Sequence, residues 1–535
     1  MRILSLLLFL SLFASDLWAQ NEAKGVVFHD ANGNGIRDRR ESGIAGVAVS
    51  NGKEVVLTDN EGRYTLPVGN DNIIFVIKPS GYQVTVDENN QPRFYYIHKP
   101  NGSPALQYKG SDPTGPLPAS VDFPLVPKDE SEEFTALIFG DPQPYTLEEV
   151  DYFYRGIVKE LEGVKDIQFG LSLGDIVGDD LSLHPAYIQA IKNVGIPWYN
   201  LMGNHDMNYD APADSLTDET FERNFGPANY AFNYGKAHFI ILDDILYPDP
   251  RDGQGYWGGF RPDQLEFVKN NLKFVDKDKL IVLAFHIPLL NVGPGFRPED
   301  RQQLFDLLQD FPHVMAMSAH THIQRQNFYT EADGWKGSKP LHEYNAGTPS
   351  GNWYSGEFTS KGVPESTMAD GTPRGYAFLR IKGNQYVIDY KVAEKPASHQ
   401  IRIHAPRVVP AESRRSGGMV YANFYMGYKD SKVEFRLDNG EWRPMSYAEE
   451  LDPYFMHLHH RWDYTESLMA GRRPGGPQPS THLWKASLPG NLSEGTHIIE
   501  IRATDMFGRT FTEKRQIWAQ KPQYKRSSNS LNGGN

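Results

Sequence analysis

The chain has 535 residues, with 67 acidic against 54 basic side chains (formal net charge -13), 39% hydrophobic residues, 49 glycines, 37 prolines and no cysteine. The missing cysteine excludes disulfides and thiolate metal sites, and the acidic balance argues against a general affinity for nucleic acid or an anionic membrane, which needs a basic surface. This length asks for about three domains at roughly 100 to 200 residues each, in an ordinary globular composition.

Met1-Arg2, an apolar run over 3–14 too short to span a bilayer, and small Ala19 predict an export signal, residues 1–19, cut after Ala19. No Cys follows the cut, so a lipoprotein anchor is excluded, and no later apolar run is long enough for a transmembrane helix. The expected protein is therefore exported, periplasmic or extracellular, and not a lipoprotein.

Residues 20–128 read as an N-terminal β-sandwich, with short strand-like runs at 47–49, 54–58 and 73–78 separated by Gly- and Asn-rich turns. Residues 101–127, rich in Pro, Gly and Ser, read as a linker. Asp30, Asn32 and Asn34, closed by Glu41 at the twelfth position, have the ligand spacing of a calcium loop. No helices flank it; the competing reading is an Asn/Gly-rich turn without an ion.

Between 129 and 395 the texture changes: strands at 135–139, 167–173, 198–202, 238–242, 280–285 and 314–318 alternate with helices at 147–161, 185–194, 263–272 and 299–308. That alternation predicts an α/β domain. Residues 396–520 return to strands and hairpins without helices, a second β-sandwich, and 521–535 read as a polar, disordered tail. Within the second sandwich, His457-Leu458-His459-His460 is open to a metal reading or to a plain loop or strand, and Trp442, Trp462 and Trp484 to sugar stacking or core packing.

The polar residues fall at strand ends. The first strand of the α/β domain runs into Gly140-Asp141-Pro142-Gln143, the second into Gly174-Asp175 and the third into Gly203-Asn204-His205-Asp206. Two later strands run into His286 and into Ala319-His320-Thr321-His322. Ligands of α/β sheets bind at the C-terminal ends of strands, and carboxylates, amide oxygens and imidazoles suit zinc, iron or manganese. Asp175, central in this order, is the candidate to bridge two divalent or trivalent ions.

In order, these residues resemble the DxH, GDxx, GNHD, lone His and GHxH pattern of the calcineurin-like metallophosphoesterases. The match covers about half the chain and departs at Gln143, in place of the first histidine, and at Ala319, in place of a glycine. The resemblance implies an α/β (α+β) fold: a four-layer metallophosphoesterase β-sandwich flanked by helices, here with two accessory all-β sandwich domains. It also implies one metal on Asp141, Gln143, Asp175 and His322 and a second on Asp175, Asn204, His286 and His320. His205 would protonate the leaving oxygen, oriented by Asp206 or Asp179; the residues alone leave both open.

The function expected is an exported binuclear phosphoesterase that cleaves phosphate mono- or diesters by attack of a metal-bridging hydroxide. The alternative is a phosphoesterase-fold binding module that attaches to glycan or protein, in a cell envelope for instance, through its flanking sandwiches. The loop 345–354, Tyr145, Tyr209 and Tyr256-Trp257 are candidates to rim the cleft, and Arg297 and Arg325 to meet a second anionic group of the substrate.

Overall fold

The structure is a computed structural model that describes residues 21–290, 295–415 and 417–521. The expected export signal, and all of the expected tail but Lys521, lie outside the described residues.

The central domain runs β1 (Glu133–Phe139), α1 (Leu147–Gly156), β2 (Phe169–Leu173), α2 (His184–Ile191), β3 (Trp198–Leu201) and α3 (Glu219–Phe225). It continues with β4 (Tyr230–Tyr234), β5 (Ala237–Ile241), α4 (Pro262–Leu272), β6 (Leu280–Ala284), α5 (Pro298–Leu308) and β7 (Val314–Ser318). It ends with β8 (Arg325–Tyr329), β9 (Leu341–Asn345), β10 (Gly375–Lys382) and β11 (Gln385–Val392).

One five-stranded sheet has the order β3-β2-β1-β10-β11 and one six-stranded sheet the order β4-β5-β6-β7-β9-β8. β1, β2 and β3 are mutually parallel in the first sheet, as are β5, β6, β7 and β9 in the second. Strands β2, β5 and β6 are buried along their whole length, as parallel strands covered on both faces are, with Ser172 and His238 the polar residues among them. Phe169 of β2 meets Phe232 and Phe239 edge-on, and Tyr199 stacks on Phe232 at 4.3 Å, so the two sheets share one aromatic core. Phe153 of α1 packs on Phe139, and Phe305 of α5 on Tyr329, which puts helices outside both sheets. The result is the four-layer mixed α/β arrangement, with the parallel strands of both sheets ending at one rim.

The N-terminal region forms two four-stranded sheets. The stretch 101–127, expected as a linker, ends in the strand Phe123–Pro127, which pairs in parallel with residues 27–29 and completes that sandwich. The part before it is bound rather than free: the Gln107 amide donates to Asp210 and Arg223 to the Gly110 carbonyl. Pro and Gly mark irregular backbone, but an irregular path can still be docked.

The C-terminal region forms a four-stranded and a five-stranded sheet, with a two-stranded pair between Glu450–Leu451 and Pro479–Ser480. The expectation of no helix there fails: Pro453–Asp463 is an α-helix, capped by Asp452, whose side chain accepts from the Phe455 amide. His457, His459 and His460 lie on it, with His457 and His460 exposed. Trp484 is core, at 2% exposure, and Trp442 lies against two guanidinium groups, Arg436 at 4.6 Å and Arg502 at 4.4 Å from its ring centre. Trp484 therefore packs in the core rather than serving as a sugar platform.

Candidate metal centre

Sharp turns after β1, β2, β3, β6 and β7 bring the strand-end residues together. Gly174, at φ +90°, shows why the turn needs glycine: an added Cβ would lie 2.5 Å from His286 Nδ1 and 2.9 Å from the Gly203 backbone. Gln143, Asp175, His320 and His322 all hold positive φ, between 40° and 67°, at about 1 kcal/mol or more each for a residue with a Cβ. Such strain persists only where the surroundings fix it, and here it aims four polar side chains into one cleft.

The imidazoles are oriented from behind. His286 Nδ1 donates to the Leu173 carbonyl at 2.8 Å and His322 Nδ1 to the Gly351 carbonyl at 2.8 Å, leaving both Nε2 lone pairs facing the cleft. His286 Nε2 lies 3.1 Å from Asp175 Oδ2 and 3.2 Å from His320 Nδ1, and His322 Nε2 lies 3.1 Å from Asp141 Oδ2. Asp141 also accepts the His320 amide, and Asp175 the His205 amide. Asp175, His286 and His320 each offer a ligand atom within 4.8 Å of the others.

Four buried atoms at the site have no hydrogen-bond partner: Asp141 Oδ2, Gln143 Oε1, Asn204 Oδ1 and His322 Nε2. Buried polar atoms are ordinarily paired, and each of these offers only a lone pair. Lone pairs held about 3 Å apart repel unless a cation or a proton lies between them. The residues therefore fit metal ions, and Gln143 presents its amide oxygen where the family pattern has an imidazole.

Burial holds His320 down at about 3 and His322 at about 4, the neutral form a metal ligand needs. For His286, burial is outweighed by Asp175 and Asp141, up to about 10, and burial pushes Asp141 up to about 7. His205 behaves like His286: burial pulls its imidazole down, but Asp175 and Asp179 hold it at about 9.

The structure pairs His205 with Asp179, whose Oδ1 lies 2.7 Å from Nδ1. Asp206 is spent elsewhere: its carboxylate accepts the amides of Ile176, Val177 and Gly203, and His184 Nε2 lies 3.2 Å from it. It ties the Asp175 turn to the Asn204 turn, so of the two residues expected to orient His205, Asp179 is the one in contact.

Around the cleft, burial together with the Asp175 and Asp179 carboxylates pushes up the hydroxyls of Tyr145, Tyr209 and Tyr256. Trp353 stacks on His322 at 4.2 Å and Tyr145 meets His205 edge-on at 5.9 Å. Arg297 sits 3.8 Å from Asp300 and Arg325 lies near Tyr447 of the C-terminal domain.

Two features escaped the sequence reading. Asp244, beyond the end of β5, accepts the amides of His286 and Ile287, and its place after a strand was the same signal that marked the other site residues. Arg472 and Arg473, in a Gly- and Pro-flanked loop of the C-terminal domain, line a cavity that also includes Tyr145 and Trp353. The calcium-loop residues lie apart from the centre. Asp30 accepts the Asn34 and Gly35 amides and Glu41 the Ala31 and Asp38 amides, so these carboxylates bind their own loop.

Three family profiles match the chain: "N terminal of Calcineurin-like phosphoesterase" over 31–109, "Calcineurin-like phosphoesterase" over 134–324 and "C terminal of Calcineurin-like phosphoesterase" over 343–511. Among solved structures, a purple acid phosphatase isolated from yellow lupin (Lupinus luteus) seeds is 14% identical, over 66% of this chain and 69% of its own, with a TM-score of 0.36. Vps29 of Chaetomium thermophilum is 13% identical, over 49% of this chain and 100% of its own, with a TM-score of 0.20. No curated protein matches the chain.

Proposed function

The chain belongs to the calcineurin-like phosphoesterases, metal-dependent hydrolases of phosphoric esters, and from that premise we propose an exported binuclear enzyme acting on phosphate mono- or diesters. The observation that carries the binuclear reading is the set of buried lone-pair atoms without partners, contributed by Asp141, Gln143, Asn204 and His322 beside the Asp175, His286 and His320 cluster. One ion would be held by Asp141, Gln143, Asp175 and His322 and a second by Asp175, Asn204, His286 and His320, a donor set suited to zinc, iron or manganese. When bound, such cations polarise the phosphoryl oxygens and make a water acidic enough to attack phosphorus near neutral pH.

The protein's own residues do the rest. His205, its Nδ1 proton held by Asp179, turns Nε2 to the leaving oxygen and delivers a proton to it. The Asp175 carboxylate receives the His205 amide, so the acid and the shared ligand keep a fixed separation. Asp244 holds the His286 amide, and Tyr145 and Trp353 cover the flanks of His205 and His322 against water.

Export rests on the leader pattern of residues 1–19, and a secreted protein whose sequence starts at Gln20 checks it. For the activity, chelated protein is returned to zinc, iron or manganese and assayed on nitrophenyl phosphate and bis(nitrophenyl) phosphate. Turnover restored by one of the ions is expected; folded protein inert with all three contradicts the reading.

A further inference from the structure

A cavity of about 360 Å³ is lined by Tyr145, Asn352, Trp353, Ser355, Arg472 and Arg473. Two of its walls are shared with the candidate centre, since Tyr145 meets the His205 ring and Trp353 lies flat on His322. A group leaving from His205 therefore has the cavity beside it. The other wall comes from the C-terminal domain, built onto the site by backbone: the Gly356 amide donates to the Arg472 carbonyl at 2.7 Å and the Gly475 amide to Asn352 Oδ1 at 2.8 Å.

The chemistry of the lining is one-sided. Asn352 is 1% exposed, and its Nδ2 is a buried donor without a partner. Arg473 is engaged by Asp463 at 2.7 Å. Arg472 is 52% exposed, and its nearest carboxylate, Glu149, is 3.8 Å away with its other oxygen accepting the Tyr145 amide at 2.7 Å. A loosely held guanidinium and an unsatisfied amide donor, lining one cavity with two aromatic rings, make a site for an acceptor-rich anion carried on a planar ring.

We propose that this cavity is the leaving-group subsite of the phosphoesterase centre, and that it selects esters whose leaving group bears a ring and a second anionic group, bound by Arg472 and Asn352. The inference rests on the proposed cleavage at the centre. It gives the C-terminal domain a part in substrate choice.

The test uses metal-loaded full-length protein and non-hydrolysable phosphonates of equal length: 4-propylbenzylphosphonate, its 4-(2-carboxyethyl) counterpart and its 4-(2-phosphonoethyl) counterpart, with Kd from calorimetry. The two anionic ligands are expected to bind about tenfold tighter than the propyl ligand, which is about 1.4 kcal/mol for one partly exposed charged contact. The larger of the two gains tells whether a carboxylate or a phosphate is preferred. Arg472→Glu removes the gain and Arg472→Lys keeps part of it. Equal affinity of wild-type protein for all three, or no binding of any, overturns the subsite. The matching phosphate esters are assayed in parallel: a tenfold gap in Kd with neither ester hydrolysed overturns the proposed function and leaves the subsite standing.

Discussion

Asp179→Asn isolates the proton-delivery step from metal binding. The Asp179 carboxylate lies 2.7 Å from His205 Nδ1, and its side chain is 53% exposed against 24% for His205. A hydrogen bond to a charged group is worth about 1.5–3 kcal/mol, and half-exposure places this one at the low end, which is about a 10- to 30-fold loss in rate where protonation of the leaving oxygen matters. It matters for an alkyl phosphate, whose alkoxide is a poor leaving group, and hardly at all for a nitrophenyl ester. The expected result is kcat on an alkyl phosphate down about 10- to 30-fold, kcat on nitrophenyl phosphate within about twofold of wild type, and metal content unchanged. His205→Ala extends the alkyl-ester loss to about 10²–10⁴ with metal retained. An Asp179→Asn protein that cleaves both esters like wild type, or loses both equally, refutes the pairing as the source of the proton.

Asp206→Asn behaves differently: with three amides and His184 bound to its carboxylate, it costs about 2–3 kcal/mol of stability, read as a lower unfolding midpoint in denaturant. Gly203→Ala places a Cβ 2.1 Å from the Asp175 nitrogen and 2.2 Å from its Oδ1, so metal affinity should fall about 10- to 100-fold by competition with a chelator. Away from the centre, burial holds His238 and His342 at about 3, so the unfolded chain, with histidine near 6.5, binds more protons than the folded one as pH falls. Their contribution is complete above pH about 7.5 and lost on acidification, by about 1.4 kcal/mol each at pH 5.5; His342→Gln should flatten the pH dependence of the unfolding midpoint in that range.

The strand ends were legible because parallel strands of this fold put their chemistry in one place, and a glycine before each of Asp141, Asp175 and Asn204 announces a turn that only a short list of residues can make. The mainly apolar runs of β2, β5 and β6 were legible as strands because parallel strands of this kind are buried on both faces. Choosing Asp179 over Asp206 was not: Asp206 is the histidine's neighbour in sequence, and only the path of the turns, with Asp179 at φ 63°, brings Asp179 to the ring while Asp206 turns to the amides of Ile176, Val177 and Gly203. The helix Pro453–Asp463 has a cap and a Pro start in its sequence, but Phe455 is its only buried side chain among the described residues, so no apolar stripe marks it. Arg472 was invisible for a topological reason. The loop that carries it meets the site through a contact 123 residues apart in sequence, which no local pattern encodes.

If one set of seven side chains holds two metal ions, Asp175 is the ligand they share. Metal analysis of purified wild-type and Asp175→Asn protein tests it directly. Two ions per wild-type chain and loss of both in a folded Asp175→Asn protein are expected; an Asp175→Asn protein that keeps the wild-type metal content would rule out the shared ligand.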